Sequence, residues 1–184
     1  VETDEGLIGI GEATTEFHEM AVKAQIEVEL KGRFVGQDPT DVERLWQVGY
    51  RDFWWRRGVV HTSAMSGLDM ALWDLKGKAW GQPIWRLLGG PTRDSVPVYA
   101  SMLGQSIEPA AAATKASEYQ AKGYTAQKWF FRYGPAHGAE GFANNMAMAT
   151  ALRTAVGPQY KLMFDAFMGW DRNYATKMVQ ALQP

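Results

Sequence analysis

Hydrophobic and polar positions along this chain fall into two regimes, one before residue 91 and one after it. The opening stretch, residues 1–12, turns at Asp4-Glu5-Gly6 with apolar residues on the far side, which predicts a β-hairpin. Val22, Ile26 and Leu30 then recur at helical spacing, with Gly32 as the predicted stop. Thr40-Asp41-Val42-Glu43 reads as a capping box behind Pro39, opening a helix that carries Val42, Leu45 and Trp46. A third helix follows Ser63, with Leu68, Leu72, Leu75 and Ala79 in one stripe, and ends near Gly81-Gln82-Pro83. Gly89-Gly90-Pro91 punctuates the chain and places the junction between a first domain, residues 1–91, and a second, residues 92–184.

Beyond the junction the pattern repeats. Val96-Pro97-Val98-Tyr99-Ala100 predicts a short strand, and a helix runs from the Glu108-Pro109 turn to Gly123. Residues 126–131 form a second strand, and a helix with Phe142, Met146, Ala149 and Leu152 inward ends at Gly157-Pro158. Lys161-Leu162-Met163-Phe164-Asp165 is a third strand, and Asp171 caps a helix with Tyr174, Met178 and Leu182. Strand–helix alternation at roughly 30-residue spacing is the mark of βα units and a parallel sheet. Periodicity alone leaves a doubly wound sheet and a barrel both open. A closed barrel needs eight units and about 250 residues, so this chain reads as an incomplete one.

Composition narrows the function classes. Nineteen basic and 20 acidic residues, interspersed, give a net charge of −1, so no basic field for nucleic acid exists. No apolar run approaches about 18 residues, which excludes a membrane-spanning helix, and no charged-then-apolar leader opens the chain. Zero cysteines remove disulfides and thiolate metal sites and suit a reducing, cytoplasmic setting. Gly9-Ile10-Gly11 lacks the third glycine of a dinucleotide loop, and His18-Glu19 lacks the second histidine of a zinc helix. The aromatic segment Phe53-Trp54-Trp55-Arg56-Arg57-Gly58 reads as packing or a subunit contact rather than a ligand site.

Particular residues then carry a family resemblance. The run from Ser63 through Gly67-Leu68-Asp69-Met70-Ala71-Leu72-Trp73-Asp74-Leu75-Lys76-Gly77-Lys78, continuing to Pro83 and Leu87-Leu88-Gly89-Gly90, resembles the signature helix of the mandelate racemase/muconate lactonizing group of the enolase superfamily. Thr3-Asp4-Glu5-Gly6 through Gly9-Ile10-Gly11-Glu12-Ala13 resembles that group's capping-domain strands. The resemblance implies an N-terminal α+β capping domain followed by the first three βα units of a TIM-type barrel.

The chemistry implied is abstraction of a proton alpha to a carboxylate, with Mg2+ supplying positive charge where the second negative charge develops. Asp165, at the end of the third strand, matches the first of three acidic metal ligands. Lys128 matches the first of two second-strand lysines, and Phe130 stands where the second, the usual lysine base, would be. Lys128, Phe130 and Arg132 share one strand face, which suits Lys128 to a substrate carboxylate or enediolate and Arg132 to a carboxylate or hydroxyl clamp. Gly134-Pro135-Ala136-His137-Gly138-Ala139-Glu140-Gly141, with Met168, Trp170 and Asn173-Tyr174-Ala175 after Asp165, looks like the rhamnonate dehydratase-like branch of the acid-sugar dehydratases.

That branch removes the C2 proton and the 3-hydroxyl to give a 2-keto-3-deoxy sugar acid, with a His–Asp pair on later strands. The loop Thr14-Thr15-Glu16-Phe17-His18 matches a capping-domain selectivity loop, making Thr14 and His18 candidate substrate contacts, and His137 is a third at the barrel mouth. The resemblance further implies a homo-oligomer with a small sugar-acid substrate, and no activity for these 184 residues alone. A racemase, epimerase or cycloisomerase of the same group, or a non-catalytic member, stands as the alternative.

Overall fold

The computed structural model describes residues 1–52, 54–56 and 58–183, and the chain divides into two compact units, Val1–Asp94 and Ser95–Pro184. The first unit opens with the expected hairpin. Glu2 and Ile8 form an antiparallel bridge, Thr3 N donates to Leu7 O at 2.9 Å, and Gly6 sits at φ 80° in the turn. Helices follow: α1 (Glu19–Ala24) and α2 (Lys31–Phe34), joined by a π-helical segment (Gln25–Leu30), then α3 (Val42–Arg51), α4 (Val59–Trp80) and α5 (Ile84–Leu87).

The π segment has a physical reading. Val22, Ile26 and Leu30 are spaced by four, a step that drifts off one face of a 3.6-residue helix. The wider π turn brings them back into register. Val22 and Leu30 are buried with Ala64 and Met65 of α4. Three expectations are corrected here. The helical run passes through Gly32 to Phe34, and the left-handed Gly36 follows it. The capping box at Thr40 does not form: Asp38 Oδ1 instead accepts from both the amide and the hydroxyl of Thr40, at 2.8 Å each. Helix α4 begins at Val59, ahead of Ser63, and Ala79 at its far end is exposed. Of the aromatic segment, Phe53 and Arg57 lie outside the described residues, while Trp54 and Trp55 are almost fully exposed and so are not packing residues within the chain.

The hairpin's tail lies flat on α4. A Cβ on Gly11 would sit 1.9 Å from Gly67 O, and one on Gly9 would sit 2.1 Å from Ala71 O. Only glycine permits that approach. Asp74 of α4 then ties the tail down, its Oδ2 accepting from Ile10 N at 2.8 Å and from Lys78 Nζ at 2.6 Å.

The second unit is a parallel sheet in the order β1 (Ala100–Ser101), β2 (Ala126–Phe130), β3 (Lys161–Asp165), crossed over by α6 (Pro109–Ala121) and α7 (Gly138–Val156) and followed by α8 (Arg172–Leu182). β1 is shorter than expected: Val96 and Val98 are exposed and outside the ladder, and Pro97 between them has no N–H to give it. α6 starts as predicted, with Glu108 accepting from the amides of Ala110 and Ala111 and proline at its first position. Asp171 caps α8 by accepting from Tyr174 N at 2.7 Å.

The core lies between sheet and helices. Trp129 is wholly buried, with Met148, Leu152 and Met178. Gln127 shares that interior, and each end of its amide is matched: Nε2 donates to Ala116 O (2.8 Å) and Oε1 accepts from Trp129 Nε1 (2.9 Å). Among the described residues, no helix is long and apolar enough to cross a membrane.

Candidate active site at the strand ends

Period-two alternation divides β2. Gln127, Trp129 and Phe131 turn into the core, and Lys128 and Phe130 turn to the opposite, half-open face. Parallel register pairs Lys128 with Met163 and Phe130 with Asp165, so Lys128 and Asp165 share that face two positions apart. Their side chains meet there, Lys128 Nζ standing 3.3 Å from Asp165 Oδ2, with 25% and 37% of the two side chains exposed. The Tyr99 ring lies 6.0 Å from the same ammonium.

Asp165 is held on both oxygens. Phe167 N donates to Oδ1 at 2.9 Å, leaving Oδ2 toward Lys128. The Phe167 amide, and then the Lys128 ammonium, hold the carboxyl below its ordinary range, so it is ionised at neutral pH. The Phe167 amide is available because residues 166–169 form a tight turn, with Gly169 N donating to Ala166 O at 2.8 Å. Both central residues of that turn lie in the left-handed region, Phe167 at φ 49° and Met168 at φ 60°. Glycine or asparagine normally fills such positions. Phe167 packs on Phe130, centroids 5.5 Å apart, and Met168 is fully exposed.

The remaining candidates are placed as follows. Arg132 lies just beyond the end of β2, exposed. His137 closes a 3-10 turn (Pro135–His137), where its Nδ1 accepts from Gly134 N at 3.1 Å and its ring meets Tyr133 edge-on. A cleft of about 510 Å³ runs between this segment and the 166–169 turn, with Arg132, His137, Met168 and Trp170 among its lining. Thr14 and His18 belong to the first unit, both exposed. Thr14 donates to the Glu12 carboxylate, and His18 immediately precedes α1.

One residue escaped the sequence reading. Asn145 of α7 is buried at 2% exposure, and its Nδ2 donates to Tyr133 O at 2.9 Å and to the Tyr174 hydroxyl at 3.2 Å. The only signal was an amide interrupting the apolar stripe between Phe142 and Ala149.

As a metal donor, Asp165 offers a hard, ionised oxygen, the type magnesium takes. Among the described residues no three acidic or histidine side chains gather around one point. The donor is right in kind, and no group of three such side chains includes it among the described residues.

Comparison with known proteins gives the lineage. The family profile "Mandelate racemase / muconate lactonizing enzyme, N-terminal domain" matches residues 1–89, and "Enolase C-terminal domain-like" matches residues 111–184. A D-galactonate dehydratase of Verminephrobacter eiseniae is 52% identical over 99 residues, covering 54% of this chain and 26% of its own length. A D-mannonate dehydratase of a Sphingomonas species is 43% identical over 124 residues, covering 67% of this chain and 30% of its own. The matched stretches therefore span less than a third of these relatives. A solved member of the enolase superfamily from Salmonella Typhimurium superposes with a TM-score of 0.86 at 28% identity, over 98% of this chain and 53% of that one. A solved chain from Zymomonas mobilis gives 0.89 at 27% identity, over 99% and 52%. With both halves of the family's architecture matched in order, the chain belongs to the mandelate racemase/muconate lactonizing enzyme group of the enolase superfamily.

Proposed function

We propose that the full-length protein is a magnesium-dependent acid-sugar dehydratase. It takes the proton alpha to the substrate carboxylate and expels the 3-hydroxyl, leaving a 2-keto-3-deoxy acid. The observation that carries this reading is the pairing of Lys128 with Asp165 on the half-open face at the C-terminal end of the parallel strands. Active sites of βα-barrel enzymes occupy that end. The relatives named for D-galactonate and D-mannonate dehydration support the reaction type.

In this reading residues 1–91 form the capping domain and residues 92–184 the barrel portion, and Asp165 is one magnesium ligand. A bound ion would supply localised positive charge where the substrate's second negative charge develops. Lys128 holds its ammonium beside that point and pairs with the substrate carboxylate. Phe130 leaves no lysine base at that position, so Lys128 orients and neutralises while the proton is taken elsewhere. Arg132 clamps an oxygen of the acid. Thr14, His18 and His137 contact the sugar hydroxyls. The protein works in the cytoplasm as a homo-oligomer.

The deciding experiment incubates full-length protein and magnesium with a panel of aldonates and aldarates and assays 2-keto acid. A keto-deoxy product from one or a few members is the expected result. Epimerised acid without keto product would replace this reading with a racemase or epimerase.

A further inference from the structure

Arg132 is exposed and lies past the last ladder position of β2, where a side chain ordinarily has no fixed direction. Its neighbours on both sides, however, are anchored. On one side, Phe131 N donates to Asp165 O at 2.8 Å, and the Phe131 ring stacks between Phe164 and Trp170 at 4.4 and 5.2 Å. On the other side, the backbone of Tyr133 is gripped at both polar atoms. Asn145 Nδ2 and Trp170 Nε1 donate to Tyr133 O at 2.9 and 2.8 Å, and Tyr133 N donates back to Asn145 Oδ1 at 3.4 Å.

The next residue closes the assembly. A Cβ on Gly134 would meet Gly169 O at 2.8 Å, so the segment after β2 lies directly against the turn after β3. Asn145 is the hub: from α7 it binds the Tyr133 backbone and the Tyr174 hydroxyl of α8 with an amide that water does not reach. A buried amide with each polar atom matched fixes its partners rigidly, because any displacement strands a polar group in the interior.

We infer that Asn145 is a positioning residue that fixes the Arg132 backbone relative to Asp165, so that the guanidinium is presented to the substrate in a set direction. This rests on the reading of Arg132 as the acid's clamp. It assigns to a buried amide on the outer helix a share of substrate binding that touches no substrate.

The test uses Asn145→Asp, which keeps the shape and removes the donors, and Tyr174→Phe, which removes one acceptor and leaves the ring. Both are made in the full-length protein with wild-type and Arg132→Ala backgrounds. In the wild-type background, Asn145→Asp is expected to raise KM for the acid sugar about tenfold, with Tyr174→Phe smaller in the same direction. The magnesium concentration for half-activation stays unchanged, because Asn145 has no contact with Asp165. In the Arg132→Ala background neither change adds a further effect.

Additive effects, or a magnesium requirement that rises in step with KM, would overturn the inference and leave Asn145 a structural residue only. Should the wild-type protein dehydrate no acid sugar, the functional reading fails by itself. Hydrogen exchange at Tyr133 and Gly134 then decides: exchange about tenfold faster in Asn145→Asp sustains the positioning role, and unchanged exchange ends it.

Discussion

At the scale of single residues, the Lys128–Asp165 pair makes two separable predictions. If Lys128 neutralises the substrate acid, Lys128→Met should lower kcat/KM by about 100- to 1000-fold, the range for losing one pre-oriented cationic or hydrogen-bond donor, with the circular-dichroism melt unchanged. A loss under threefold would remove Lys128 from the site. The carboxyl of Asp165 should titrate below its ordinary value of 3.8, followed by its side-chain carbon resonance. Because the folded value is lowered, its contribution to stability is complete above the ordinary value. That contribution disappears as pH falls through the lowered one. Lys128→Met should raise the midpoint only partway, since the Phe167 amide, the larger cause, remains. The strand-end positions of both residues were legible from local alternation, while their candidacy as site residues came from the family motifs. Asn145 was not. Its partners lie 12 and 29 positions away, and a polar residue in a helical stripe has no partner until the loop after β2 folds over it.

At the scale of elements, most helices and strands follow from periodicity, and the errors fall where a competing contact, distant or next door, overrides the expected signal. Gly32 looked like a stop, yet Leu30 behind it is fully buried against α4, and that packing carries the helix through to Phe34. Thr40 looked like a cap, but Asp38 two residues earlier captures its amide and hydroxyl first. The hairpin tail on α4 is the sharpest element-level constraint. Gly11→Ala places a methyl where Gly67 O already stands, and should destabilise the first unit by about 1–3 kcal/mol by denaturant titration, the usual range for overpacking. A variant of unaltered midpoint would mean the tail is not seated on the helix. In the second unit, Leu152→Ala should cost about 2–5 kcal/mol, because Leu152 is wholly buried between sheet and helices.

At the scale of the whole molecule, the chain has two compact units, Val1–Asp94 and Ser95–Pro184, each with its own core. Alternation of strand and helix was enough to predict a parallel sheet but not what that sheet belongs to. The family motifs supplied that, because the glycines and Asp74 of the hairpin–helix contact are specified by close approach rather than by periodicity. A purified chain of these 184 residues should show no turnover of any acid sugar. Among the described residues no group of three acidic or histidine side chains gathers at one point, and fewer ligands do not hold magnesium against water, which that ion releases reluctantly. Keto acid formed by that chain above a no-protein control would refute the expectation.

The turn after β3 sets two kinds of selection against each other. Phe167 and Met168 occupy backbone geometry that disfavours ordinary side chains by about 1–2 kcal/mol per residue. Glycine at 168 would relieve that strain and, after its own entropic cost, should leave the fold slightly more stable. Random mutagenesis screened for heat tolerance would therefore be drawn to this turn, which is also what orients the Asp165 carboxylate. Thermostable variants recovered there are the ones whose catalytic constants most need re-measuring, because a looser turn lets go of Oδ1.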